Sequence, residues 1–113
     1  MRVLTDAGGS GRPADGRLNE FVEHHRQREM SVGTYRVSAT GADDQDPHAE
    51  DELYVVMAGR GRLTAGGETV AVVPGDVVFV PAGEVHRFHD VTEDLSLLVV
   101  FAPAYSGDGG AAG

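Results

Sequence analysis

Five histidines, at positions 24, 25, 48, 86 and 89, and a run of carboxylates from Asp43 to Glu52 are the side chains of this chain best suited to holding a metal. In an extended chain, residues an even number apart point to the same face. Asp46, His48, Glu50 and Glu52 share that parity, and it continues into Tyr54 and Val56. Tyr54 and Val56 are what an inward barrel face would carry. His48 and Glu52 are therefore expected to face the interior together. A third donor must come from another strand, and His86, just after Pro81-Ala82-Gly83, is the best placed. Two imidazoles and one carboxylate with open positions suit Fe(II), and Mn, Ni, Cu or Zn would also accept them. Such a site should weaken as pH drops through the histidine range, because its ligands must be deprotonated.

Other chemistries are excluded by composition. There is no cysteine, so disulfides, thiolate metal sites and cysteine nucleophiles are absent. All nine basic residues are arginines, which removes lysine Schiff-base chemistry. The net charge of −9 argues against nucleic acid or an anionic membrane as partner. No segment reads as a signal peptide, and no apolar run approaches the roughly 18 residues of a membrane span. A soluble cytoplasmic protein is the expectation.

The elements that must position these residues read as strands. At 113 residues one domain is expected, over residues 17–105. Residues 1–16 and 106–113, rich in small residues, are expected to be flexible or to lie on the surface. Residues 18–30 fit either a helical turn or two or an extended arm. Beyond them, residues 31–38, 53–58, 62–65, 68–73, 77–80, 85–89 and 95–101 make about seven short strands. Gly59-Arg60-Gly61, Gly66-Gly67, Pro74-Gly75-Asp76 and Pro81-Ala82-Gly83 separate them, and Gly66-Gly67 is a strong hairpin signal. This spacing indicates an all-β sandwich or small barrel.

Two stretches resemble the two motifs of the cupin superfamily. His48, Glu52 and Gly59 fit the H-x3-E-x6-G part of the first. Gly75, Pro81, Gly83 and His86 fit every spacing of G-x5-P-x-G-x2-H-x3-N, with Asp90 in place of the final Asn. The first motif departs from the family pattern at its opening Gly41, displaced by one, and at Asp46, which stands where the first His is usual. The resemblance implies a double-stranded β-helix (jelly-roll) barrel with an N-terminal arm. It implies His48, Glu52 and His86 as ligands of a divalent cation, Fe or Mn favoured, with Asp46 or Gln45 left open as a further ligand. It implies a homodimer. It also implies a metal-dependent enzyme on a small organic substrate, most directly a dioxygenase. A metal-assisted isomerase or cyclase, or a non-catalytic binding cupin, are the alternatives.

Around that site, Tyr54 and Glu50 are candidates for acid–base or orienting roles. Tyr35, Tyr54, Phe88 and Phe101 are candidates for the pocket wall. His24, His25 and His89 are expected outside the site. Residues 43–46 are expected to form a solvated loop. Arg36 and Arg60 could meet an anionic substrate or pair with surface acids.

Overall fold

A computed structural model describes residues 1–39, 41, 43 and 47–107. Gln45 and Asp46, the open candidates for a further ligand, lie outside the described residues, as does 108–113. Six strands form: β1 (Asn19–Gln27), β2 (Met30–Val37), β3 (Asp51–Ala65), β4 (Glu68–Val72), β5 (Val77–Val80) and β6 (His86–Ala102). All pairings are antiparallel, in the order β1-β2-β6-β3-β4, with β5 also on β3. The expected all-β architecture is observed.

The strands are fewer and longer than expected. Gly59-Arg60-Gly61 does not end a strand; β3 runs through it, and its register against β6 shifts between Val56 and Arg62. Gly59 has φ 91°, and a side chain there would overlap the Asp94 carbonyl, so only glycine lets β3 and β6 approach at the bend. Opposite it, Asp90 adopts φ 48° within β6. Both long strands are thus bent in their middles. The β4 and β5 strands lie in succession along one edge of β3, opposite Gly61–Ala65 and then Glu52–Val55. Between them, Val56 donates to the Asp76 carbonyl (2.9 Å) and accepts from the Gly75 N–H (2.9 Å), so the ladder continues through the turn.

Residues 18–30 contain an edge strand, not helix: β1 pairs with β2 through a tight turn in which Gln27 faces Met30. Its weak periodicity follows from one-sided packing, since Phe21 alone of its side chains packs against the core cluster.

Alternation along the strands builds the core. Tyr35 and Val37 (β2), Tyr54, Val56 and Leu63 (β3), Val72, Val80, Phe88, Leu95, Leu97, Val99 and Phe101 are each at most 1% exposed. Each such side chain stabilises by about 1.5–3 kcal/mol through burial. Glu52 occupies one of these interior positions, at 1% exposure, in the alternation that also buries Tyr54 and Val56.

The expectation of a solvated 43–46 loop fails at Asp43. That residue is buried, accepts from the Tyr35 hydroxyl (2.8 Å) at Oδ1, and accepts from the Phe88 N–H (2.6 Å) at Oδ2. A buried carboxylate is tolerable because both oxygens are hydrogen-bonded. At the other face the N-terminal arm docks on β2 and β6. Gly8 N–H donates to Thr34 Oγ1 (2.7 Å), Ser96 donates to the Gly8 and Gly9 carbonyls, and the Arg36 guanidinium donates to the Gly9 carbonyl (2.9 Å).

Candidate metal centre

His48 lies in the loop before β3, Glu52 on β3, and His86 at the start of β6. Two hydrogen bonds join the loop carrying His48 to the turn ahead of His86. Gly83 N–H donates to the His48 carbonyl (2.7 Å), and Ala82 N–H donates to Asp51 Oδ1 (2.9 Å). His86 pairs across the ladder with Ala65, at the far end of β3 from Glu52. The bends bring these two ends of the ladder over one another.

The three side chains converge. Their ligand atoms all lie within 4.8 Å of one another, and all three are buried. His86 Nε2 is 3.2 Å from Glu52 Oε1, and His48 Nε2 is 3.8 Å from the same oxygen. Ligands at about 2.0–2.2 Å from a common cation stand roughly 3 Å apart, so the trio matches a metal with little adjustment.

Hydrogen bonding fixes how His86 presents itself. Its Nδ1 faces the Glu84 carbonyl (2.8 Å), which can only accept, so Nδ1 carries the proton. In the neutral ring Nε2 is then the lone pair, and it accepts from the Tyr54 hydroxyl (3.0 Å). A backbone carbonyl holding the second nitrogen is the usual support of a metal-binding histidine. The bare Nε2 then faces a carboxylate oxygen at 3.2 Å, acceptor against acceptor. Neither Glu52 oxygen receives a hydrogen bond of good geometry among the described residues. Burial pushes the Glu52 carboxyl above its ordinary value, and nearby His86, His48 and Tyr54 offset part of that rise. A buried carboxylate whose oxygens lack a well-aligned donor among the described residues, set beside two imidazoles, suits a cation, either a proton or a metal.

Aromatic rings wall the trio. The His48 ring meets His86 (5.2 Å), Phe101 (5.2 Å) and Tyr105 (5.5 Å), all edge-on. Tyr54 stands 6.0 Å from His86 and 4.9 Å from Phe88. Of the predicted wall, Tyr54 and Phe101 thus touch the centre. Phe88 lies one ring further out, and Tyr35 is joined to Phe88 through Asp43. Sequence reading missed Tyr105; an aromatic two residues beyond Pro103 was the available signal.

The remaining candidates sit elsewhere. Glu50 is buried, but its Oε2 accepts from the Ser106 N–H (3.2 Å) and hydroxyl (2.6 Å). His24 and His25 are half-buried, on Thr34 (2.6 Å) and on Arg2 (3.0 Å). His89 bonds Thr64 (2.7 Å). Arg36 is occupied by the N-terminal arm, and Arg60 stands 3.7 Å from Glu93 at the surface. A cleft of about 340 Å³ opens between β4 and β5, lined by Leu63, Val70, Val78 and Phe79 with Glu68 and Glu84 among its residues. Two of its lining residues are ladder partners of residues at the centre: Val78 pairs with Tyr54 and Ala65 with His86. No helix among the described residues is long and apolar enough to cross a membrane.

The chain is similar to known proteins. An uncharacterized protein of Streptomyces coelicolor is 50% identical over 92 residues, covering 81% of this chain and 85% of that one. Acireductone dioxygenase 2 of Nocardia farcinica is 46% identical over 59 residues, which is 49% of this chain but 31% of that protein. The crystal structure of a Klebsiella pneumoniae protein with a double-stranded β-helix domain superposes with a TM-score of 0.75 at 16% identity, covering 100% of this chain and 97% of that one. That likeness establishes the barrel fold. The Cupin domain family matches residues 33–101, a span that holds every strand of the bent ladder and all three converging side chains. The chain belongs to the cupin superfamily.

Proposed function

We propose that this cupin is a metal-dependent enzyme acting on a small organic substrate, and that its reaction is a dioxygenation. The carrying observation is the buried trio His48, Glu52 and His86, whose acceptors converge without a donor of good geometry on either Glu52 oxygen. That donor set fits a divalent cation, Fe or Mn in preference to Zn, Ni or Cu. When bound, such a cation supplies open positions for O2 and for a substrate oxygen, and draws charge from a carbonyl.

The chain's own residues do the rest. Glu84 holds the His86 tautomer through its carbonyl. Tyr54 gives its hydroxyl proton to His86 Nε2 in the metal-free chain. If that nitrogen held a metal, the Tyr54 hydroxyl would be available to donate to a substrate oxygen, an orienting or acid role. Glu50, engaged by Ser106, is assigned to holding structure and not to moving protons. Phe101 and Tyr105 exclude water from the His48 side. The cleft between β4 and β5 is the route for substrate. The residues lining it include Glu68 and Glu84.

The dioxygenase relative supports this choice of reaction and makes an acireductone the first substrate to try. The test is elemental analysis of protein purified without chelator or nickel resin, beside His86→Ala, followed by oxygen uptake with an acireductone. Near-stoichiometric metal, lost in His86→Ala, with substrate-dependent oxygen uptake is the expected result. A wild-type chain that stays metal-free after reconstitution overturns the enzyme and leaves a binding module. Turnover without oxygen uptake overturns dioxygenation in favour of isomerisation or cyclisation.

A further inference from the structure

The chain past β6 turns back over the His48 end of the barrel and is held there at several points. Ala104 N–H donates to the Arg28 carbonyl in the β1–β2 turn (3.5 Å). Tyr105 N–H donates to Ser31 Oγ on β2 (2.9 Å), and its carbonyl accepts from Arg26 on β1 (2.6 Å). Ser106 gives both its N–H and its hydroxyl to Glu50 Oε2, ahead of β3. Between these attachments the Tyr105 ring stacks on Phe101 (4.9 Å) and meets His48 edge-on (5.5 Å, 87°). Gly107 closes over it, since any side chain there would overlap the Tyr105 hydroxyl.

The hydrophobic core does not require this segment. Its fully buried members end at Phe101, and Tyr105 only packs against them from outside. What the segment does cover is one metal-binding imidazole. His48 stands against the stacked Phe101–Tyr105 pair, with His86 and Glu52 also close to it. A ligand imidazole must hold its ring plane to within roughly 10–20°, and two rings packed nearly perpendicular to it restrain that plane.

We propose that residues 103–107 form a latch over the His48 end of the centre, with Tyr105 as a positioning residue for His48 and Ser106–Glu50 as the catch. The catch is built to release. Glu50 is 4% exposed, yet Oε1 takes no hydrogen bond among the described residues while Oε2 takes both. Opening would let water reach Oε1, which offsets part of the two bonds lost. The other attachments are to β1, an edge strand, to the β1–β2 turn and to the end of β2. The segment can therefore lift without opening the β3–β6 ladder. Its consequence for cation exchange rests on the metal reading above; its shielding of His48 does not.

The test separates the two. Acylation of His48 by diethyl pyrocarbonate is followed by peptide mass spectrometry on the metal-free, full-length chain, with His89 as internal reference. Ser106→Ala and Tyr105→Ala are expected to speed His48 acylation about ten-fold, as losing one charge-assisted hydrogen bond would. Tyr105→Phe keeps the ring and should stay within about two-fold of wild type. Equal His48 rates in wild type and Ser106→Ala overturn the latch. If Tyr105→Ala speeds His48 and His89 alike, it has loosened the fold, and Ser106→Ala decides. In manganese-loaded protein, the same variants should release metal to a chelator faster by a similar factor, with Kd changed less. A chain whose His48 responds as expected but which takes up no manganese supports the latch and overturns the metal reading.

Discussion

Two carboxylates in this barrel are buried to nearly the same degree, and they live in opposite ways. Asp43 is 3% exposed, and each of its oxygens takes a hydrogen bond, from Tyr35 and from the Phe88 backbone. Glu52 is 1% exposed, and neither oxygen takes one of good geometry. The first carboxylate is a joint: it fixes a loop to β2 and β6. The second is an opening for something not made of protein. Burial alone does not separate them. The count of satisfied oxygens does, and it supports the proposed ligand role of Glu52.

Three measurements would break or sharpen that contrast. The largest effect is expected from Asp43→Ala, which leaves the Tyr35 hydroxyl and the Phe88 N–H buried without an acceptor. Unfolding in urea should show a loss of about 3 kcal/mol, while the fraction that stays folded keeps its metal. A change within about 0.5 kcal/mol would show that Asp43 is no joint. Next is Glu52→Gln. Calorimetric titration should show metal affinity down by more than about 100-fold, beyond the roughly 10–100-fold that losing a supporting hydrogen bond costs. The metal-free variant should be at least as stable as wild type, because a neutral amide replaces an unpaired buried acid. Retained affinity would remove Glu52 from the ligand set.

The third and smallest effect is in pH. Burial raises the Glu52 carboxyl in the folded chain above its ordinary 4.5. The folded state therefore binds this proton more tightly than the unfolded one. Its contribution to metal-free stability is full below about pH 4.5 and is lost as pH rises through the raised value. The stability gap between Glu52→Gln and wild type should thus widen from acid toward neutral pH, as read from thermal melts without metal. Saturating metal should reverse the trend for wild type, since the ionised carboxylate is then the bound form. Parallel profiles for the two metal-free proteins would place the Glu52 proton elsewhere.

Much of the centre was legible because spacing carries it. His48 and Glu52 share strand parity, and the Pro81-Ala82-Gly83 turn announces His86. What spacing could not carry was the role of a residue whose neighbours mislead. Asp43 sits in an acidic run that reads as solvated, and only the fold supplies its two donors. Gly59 and Gly61 read as punctuation, yet they are what allows β3 to bend without ending. Tyr105 follows a proline past the last apolar run, where no period survives to aim it. The edge strand β1 gave no clear period because only one of its sides packs on anything.

The Gly83 N–H that donates to the His48 carbonyl has a meaning for anyone who would redesign this barrel. The two loops that bear the imidazoles are one mechanical part. An inserted residue in 81–85 would displace His48 as surely as His86, although His48 lies more than thirty positions upstream. Loop grafting should therefore exchange the 47–51 and 81–85 segments as a matched pair, and leave the cleft between β4 and β5 as the place where new specificity is built.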